Sequence, residues 1–273
     1  MTGTADGVEG MTEHRLEVDG ASIAYSDIGE GPLVLVAHGL ASSRAVEREE
    51  QLTLWDELAD AGFRVVAYDA RGHGSSTGRA VPEDYRWPAL ADDMLALADA
   101  LSPDAPVHAI GTSTGTGTIV HALTRRPSRF RSVALAAPPT AWGTRPAQQR
   151  LYRMTASDFE SLPRAEFDAA ASAGDPPPIF AGVRTPGPPR LDPSLLPAVY
   201  RGAAMSDLPE VSEVSKISVP ALLLAWETDG AHPLSTTEQL SASLRNSSVV
   251  IATRVEEIHT WPARAAEFFR AHP

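Results

Sequence analysis

The sequence predicts an α/β protein: a mostly parallel, doubly wound sheet of about eight strands with an inserted helical cap. Short apolar runs alternate with longer amphipathic segments over residues 13–138, and the alternation resumes at 213–273. The intervening residues 139–212 are rich in proline and contain short helix candidates but no convincing strand. We therefore predict a core formed by the two alternating regions, a cap at 139–212, and a flexible tail at 1–12.

The individual elements follow from hydrophobic periodicity. Nearly unbroken apolar runs such as PLVLVAHG indicate strands that are buried on both faces, whereas Ala and Leu at a period of 3.6 indicate helices. The predicted strands lie within 14–18, 22–29, 32–39, 64–74, 107–111, 132–138, 219–229 and 247–253. The predicted helices lie near Trp55–Ala59 and at 87–101, 114–126, 145–154, 157–173 and 263–272.

Composition excludes several classes of function. The chain has 273 residues, a net charge of −12 and no long basic run, which argues against nucleic acid or an anionic membrane as a partner. It contains no cysteine, which excludes disulfides, thiol catalysis and cysteine metal sites. No run approaches 18 apolar residues, and the N-terminus lacks the pattern of a signal peptide. We expect a cytoplasmic protein that acts on a small molecule.

The stretch GTSTG at 111–115 places a serine between two glycines, at the end of a predicted strand and the start of a predicted helix. In a G-x-S-x-G turn of this kind the serine is held in a strained conformation with its hydroxyl exposed. Larger side chains two residues to either side would collide with neighbouring backbone. The sequence therefore indicates Ser113 as a nucleophile.

A serine nucleophile requires a base, and the base requires an acid that orients it. Asp229 follows the buried run ALLLAW, where a carboxylate would emerge at the carboxyl edge of the sheet. His259 lies between the last predicted strand and the last predicted helix, and we expect it to be the base. Glu227 is an alternative acid, and His232 is an alternative loop histidine or a substrate contact.

The remaining histidines do not fall at metal-ligand spacing, and the motif H-E-x-x-H does not occur. We predict neither a metal nor a cofactor.

Four features occur in an order that resembles the α/β-hydrolase superfamily: HG at 38–39, DARGHGSS at 69–76, GTSTG at 111–115, and the acid and histidine near the end. The resemblance is strongest to lactonase, carboxylesterase and haloperoxidase-like members. It implies an oxyanion hole formed by the backbone N–H groups of Leu40 and Thr114. It also implies that DARGHGSS is a structural loop.

The chain departs from this resemblance at three places. Trp226 stands where the superfamily usually has a glycine three residues before its acid, and Ile258 stands where a glycine usually precedes the histidine. The charged run RAVEREE at 44–50 lies in a long connection, which we predict to be a solvated surface loop. A further hypothesis is that Trp226 and Trp261 line an aromatic substrate pocket.

These observations predict a serine hydrolase that cleaves a small ester or lactone through an acyl-enzyme on Ser113. Thioester hydrolysis, acyl transfer, C–C bond hydrolysis and lyase chemistry use the same groups and stay open as alternatives. A non-catalytic ligand-binding protein is the alternative from a different class, because fold does not fix function.

Overall fold

The computed structural model describes residues 12–50, 52, 55–172, 176–181 and 191–273. The predicted tail at 1–12 lies outside the described residues, apart from residue 12.

The sheet has eight strands in the order β1-β2-β4-β3-β5-β6-β7-β8. The pairs β1–β2 and β2–β4 are antiparallel and all other neighbours are parallel, which confirms the predicted mostly parallel sheet. The carboxyl ends of β3, β5, β6 and β7 therefore meet at one edge. The strands are β1 (Glu13–Val18), β2 (Ala21–Ile28), β3 (Leu33–Ala37), β4 (Arg64–Tyr68), β5 (Val107–Thr112), β6 (Phe130–Ala136), β7 (Ala221–Trp226) and β8 (Ser247–Ala252).

Helices cover both faces of the sheet. They are α1 (Arg44–Glu50), α2 (Glu57–Asp60), α3 (Trp87–Leu101), α4 (Thr114–Arg125), α5 (Arg145–Ser161), α6 (Arg164–Ser172), α7 (Leu196–Ala204), α8 (Val211–Val214), α9 (Leu234–Ser243), α10 (Val255–Ile258) and α11 (Trp261–Arg270). Short 3₁₀ turns occur at Pro82–Tyr85, Pro127–Arg129, Trp142–Thr144 and Pro178–Phe180.

Strand β3 shows why the apolar runs are continuous. Leu33, Leu35 and Ala37 pack with helices α3 and α4 on one face of the sheet. Val34 and Val36 pack with helices α2 and α11 on the other face. Successive side chains of a strand point to opposite faces, so a strand that is covered on both faces needs an apolar residue at every position.

The charged run 44–50 forms helix α1, so the prediction of a solvated loop is wrong. Arg44 is buried, and its backbone N–H and Nη2 each donate to the Asp69 carboxylate at 2.9 Å. The buried ion pair explains why a run of charges packs against the core, because a buried charge requires a partner.

Helix α5 joins the first predicted helix (145–154) to the start of the second (157–173), and the rest of the second forms the separate helix α6. It continues from Arg145 to Ser161 and ends at Leu162, whose extended backbone precedes Pro163. A residue before proline is disfavoured in the helical conformation, and here that preference sets the helix end.

The segment 139–212, which the sequence predicts as a cap, carries contacts of its own. The ring of Phe159 packs against the rings of Phe167 and Tyr200. The guanidinium of Arg145 is fully buried and donates to the carbonyl oxygens of Ser206 and Ala203, each at 2.7 Å. These bonds join the start of α5 to the end of α7.

Candidate active site

Ser113 occupies a strained turn between β5 and α4. Its φ is 55°, a left-handed value that is uncommon for a residue with a side chain. A Cβ on Gly111 would collide with the backbone of Gly115, and a Cβ on Gly115 would collide with the Ala37 carbonyl of β3. The two glycines thus permit the close approach of strand and helix that exposes the Ser113 hydroxyl.

Backbone strain is concentrated at this edge of the sheet. Ala41, Ser113, Ala137 and Thr228 all have positive φ, between 43° and 64°. They follow β3, β5, β6 and β7, four neighbouring strands. Strained non-glycine residues cluster at functional sites, where the surrounding structure holds them in place.

A hydrogen-bonded chain joins Ser113 to the loop after β7. The Ser113 Oγ lies 2.8 Å from His232 Nε2, and His232 Nδ1 lies 2.7 Å from Asp229 Oδ2. The His232 and Asp229 side chains are 19% and 8% exposed. Because the ionised carboxylate accepts, Nδ1 carries the proton and Nε2 is free to accept from the serine hydroxyl.

The expectation that His259 supplies the imidazole is therefore corrected to His232. His259 directly follows α10, its side chain is exposed, and the described residues give it no contact with Ser113 or Asp229. Only one residue separates it from Trp261, where α11 begins, so it lies between two helices rather than on an open loop. That position directs its ring into solvent.

One feature of the sequence favours His232 over His259. The spacing Asp229-x-x-His232 permits a turn, in which the His232 N–H donates to the Asp229 carbonyl at 3.2 Å. The turn brings both side chains to the same side of the loop. The residue before the histidine does not distinguish the two, because Ala231 and Ile258 both stand where the superfamily resemblance leads one to expect a glycine. Chain order alone does not distinguish the two, because both histidines follow the acid.

Both oxygens of the Asp229 carboxylate accept hydrogen bonds. Oδ1 accepts from the Ala231 N–H at 2.9 Å, and Oδ2 accepts from Trp226 Nε1 at 3.0 Å in addition to His232. Burial by itself raises the pKa of Asp229, but the hydrogen bonds and the electrostatic interaction with His232 outweigh burial and hold that pKa at about 2. Asp229 is therefore ionised near neutral pH.

Two buried histidines hold the loop after β3. Ala70 N–H donates to His38 Nε2 at 2.9 Å, and His38 Nδ1 bonds the Gly39 carbonyl at 2.7 Å. Ala41 N–H donates to His73 Nε2 at 3.3 Å. Burial lowers the pKa of both rings, to about 3 for His73, so both are neutral and can accept these bonds. The motifs HG and DARGHGSS thus meet at this loop.

Of the two predicted oxyanion donors, Thr114 directly follows Ser113 and Leu40 directly follows Gly39. Thr114 is the first residue of α4, and the first N–H groups of a helix have no partner within the helix. Gly39 approaches the Ser113 side chain, with a Cβ built on it 3.7 Å from Ser113 Cβ. No group of the described residues accepts a hydrogen bond from the N–H of Leu40 or Thr114. The roles of both groups as donors stay predictions.

The two tryptophans do not form an open aromatic pocket. Trp261 is fully buried, and it stacks on Trp226 with ring centres 5.6 Å apart. Trp226 is 6% exposed and contacts the His232 ring edge-on. Glu227, the alternative acid, directly follows β7, and its backbone N–H bonds the Ala252 carbonyl. Trp261 is thus a core residue, and Trp226 contacts the acid and the histidine.

No group of three or more histidine, aspartate or glutamate side chains able to hold a metal occurs in the part of the chain that the structure describes. Among the same residues, no helix combines the length and the apolar character that crossing a membrane requires.

Comparisons with known proteins define the class. The model of the alpha/beta hydrolase fold family matches residues 32–254, and the chain therefore belongs to this family. The chain is 30% identical over 254 residues to a bifunctional esterase/perhydrolase of Acinetobacter calcoaceticus, a match that covers 86% of this chain and 88% of the relative.

Solved structures agree with this fold. A hydrolase from Pseudomonas aeruginosa PA01 has a TM-score of 0.75 at 22% identity, with 97% of this chain and 99% of that chain covered. The enol-lactonase from Burkholderia xenovorans LB400 has a TM-score of 0.68 at 23% identity, with 94% and 100% covered. At these identities the likeness shows the fold alone. The family match and the esterase/perhydrolase relative together show that the chain is an enzyme of the α/β-hydrolase superfamily.

Proposed function

We propose that this protein is a serine hydrolase that cleaves small carboxylic esters or lactones through an acyl-enzyme on Ser113. The observation that carries the proposal is the hydrogen-bonded chain from Ser113 Oγ through His232 to Asp229. A serine hydroxyl is a weak nucleophile, and an adjacent oriented base activates it.

In the first half of the reaction, Ser113 Oγ attacks the ester carbonyl carbon and His232 Nε2 takes the hydroxyl proton. The tetrahedral oxyanion accepts hydrogen bonds from the N–H groups of Leu40 and Thr114. His232 then donates its proton to the leaving alcohol oxygen as the C–O bond breaks. Asp229 orients the imidazole and stabilises the imidazolium, as in other serine triads.

In the second half, water attacks the acyl carbon and gives one proton to His232. Collapse of the second tetrahedral intermediate returns that proton to Ser113 Oγ and releases the carboxylic acid. A lactone gives a hydroxy acid in this way. Loss of one oxyanion donor typically lowers the rate about 10²–10³-fold.

An ester or lactone as the substrate is supported by the names of the esterase/perhydrolase relative and the enol-lactonase neighbour. The hydrogen-bonded chain of Ser113, His232 and Asp229 also fits thioester hydrolysis, acyl transfer, C–C bond hydrolysis and lyase chemistry. A panel of substrates separates these reactions, because each releases a different product.

The test is the intact mass of the protein after exposure to a fluorophosphonate probe. We expect one adduct on the wild type and none on Ser113→Ala. Turnover of p-nitrophenyl acetate by the wild type alone would then establish ester hydrolysis. The absence of an adduct, repeated with a smaller sulfonyl fluoride to exclude a steric effect of the cap, would favour a binding protein.

A further inference from the structure

We propose that Trp226 is a positioning residue, whose indole N–H fixes the carboxylate of Asp229 for its interaction with His232. This inference rests on the proposed function, because it assigns a role within the same site. It replaces the hypothesis that Trp226 lines a substrate pocket.

The first argument is the geometry around Oδ2 of Asp229. This oxygen accepts from Trp226 Nε1 at 3.0 Å and bonds His232 Nδ1 at 2.7 Å. Within the part of the chain that the structure describes, the other oxygen accepts from the Ala231 N–H alone. The terminal torsion of an aspartate is broad and two-fold, so hydrogen bonds must fix the carboxylate plane. The indole N–H bonds the same oxygen that holds the imidazole.

The second argument is the shortness of the segment that carries acid and base. Trp226, Asp229 and His232 lie within seven residues, on the end of β7 and the loop that follows it. This loop includes Thr228, whose φ is 64°. A strained loop persists only where its surroundings hold it. Trp226, the last residue of β7, ties this loop to the sheet through its hydrogen bond to Asp229.

The third argument is how firmly the indole itself is held. Trp226 is 6% exposed, stacks on Trp261 and contacts the ring of Phe180 edge-on, with centres 5.0 Å apart. Ile179 N–H donates to Thr228 Oγ1 at 3.1 Å, so the same short segment also binds the loop. A donor with so little freedom gives the carboxylate one orientation.

Trp261 provides a matched control. It lies in the same cluster and is fully buried, and its Nε1 has no hydrogen-bond partner among the described residues. Trp226→Phe and Trp261→Phe remove the same atoms from two stacked rings. Only the first substitution removes a hydrogen bond to Asp229.

The first experiment follows the indole N–H resonances by ¹H–¹⁵N NMR. The chain has five tryptophans, and the Trp226 signal is the one that Trp226→Phe removes. We expect that signal to move when Asp229→Asn neutralises its acceptor, while the Trp261 signal moves little. A Trp226 signal that does not respond would overturn the inference.

The second experiment measures kcat and KM for p-nitrophenyl acetate. Trp226→Phe is expected to lower kcat about tenfold with KM nearly unchanged, the scale of one hydrogen bond to a charged group. Trp261→Phe is expected to change neither by more than about twofold. An equal loss of kcat in the two variants, or a change in KM alone, would contradict the role of Trp226 in positioning Asp229.

The two proposals fail in different ways. If wild-type protein neither cleaves the ester nor reacts with the fluorophosphonate, the proposed function fails, and with it the catalytic part of this inference. If the wild type is active and the two tryptophan variants behave alike, the proposed function stands and the role of Trp226 is refuted.

Discussion

His232 and Asp229 lie three residues apart on one loop, and their side chains form a 2.7 Å hydrogen bond that points the imidazole at Ser113. The candidate acid and base thus come from a single turn rather than from two separate loops. The geometry of the site therefore depends on how this one turn is held. Thr140 N–H contributes from the adjacent strand end by donating to the Ala231 carbonyl at 2.9 Å.

The first prediction concerns Gly115, which lies two residues after Ser113. Gly115→Ala would place a Cβ against the Ala37 carbonyl of β3, a backbone atom that has no room to move. We expect a loss of about 3 kcal/mol or more in the free energy of unfolding, measured by urea denaturation. Gly143→Ala is the control, because its Cβ meets nothing within 4 Å. Equal stability of the two variants would show that the strand and helix separate easily.

The second prediction concerns Arg145, which joins α5 to α7 within the segment predicted as a cap. Arg145→Met keeps the volume of the side chain but removes its hydrogen bonds to the carbonyls of Ser206 and Ala203, which retain longer bonds from Gln149 Nε2 and the Ser206 N–H. We expect a loss of about 3 kcal/mol or more in the free energy of unfolding, since each hydrogen bond to a charged group contributes about 1.5–3 kcal/mol. The exposed Arg150 of the same helix provides Arg150→Met as a control, expected within about 0.5 kcal/mol of wild type. Thermal unfolding of both variants checks the difference.

The third prediction concerns stability at acid pH. Burial lowers the pKa of His73 to about 3. The unfolded chain protonates this residue below about pH 6.5, whereas the native protein does not, so protons favour unfolding between about pH 6.5 and 3. The contribution of His73 to the free energy of unfolding therefore falls as the pH drops, by up to about 1.4 kcal/mol per pH unit.

The variant His73→Gln isolates this contribution. Its side chain retains an acceptor for the Ala41 N–H but does not titrate. We expect the stability of wild type to fall more steeply than that of the variant from pH 6.5 to 4, measured by urea denaturation. Burial raises the pKa of Glu47 to about 8, which acts in the opposite direction but equally in both proteins. Parallel stability curves would refute a neutral buried His73.

The fold and the tight turn that carries Ser113 follow from the sequence because they depend on backbone patterns. Continuous apolar runs indicated buried strands, and two glycines around Ser113 indicated a tight turn that only small residues permit. Periodicity predicted one helix over 157–173 and so ran it across Pro163, where the structure ends α5 and begins α6. Local pattern therefore identifies elements better than it identifies their ends.

The histidine and the tryptophans required the structure. His232 and His259 both follow the acid along the chain, and only the packing of α10 and α11 shows that His259 is exposed. Trp226 stands where the superfamily resemblance expects glycine, and its residue type suggested a pocket. The direction of its indole N–H toward Asp229 depends on the end of β7 and on its stacking with Trp261, which spacing does not reveal.

The most direct test of the account compares His232→Gln with His259→Gln in the rate of fluorophosphonate labelling of Ser113. Both substitutions remove one imidazole, and circular dichroism confirms that each variant is folded. We predict that His232→Gln lowers the labelling rate by about 10³-fold or more, as expected when a triad member is lost, and that His259→Gln labels at the wild-type rate. Normal labelling of His232→Gln together with loss of labelling in His259→Gln would contradict the assignment of His232 as the base.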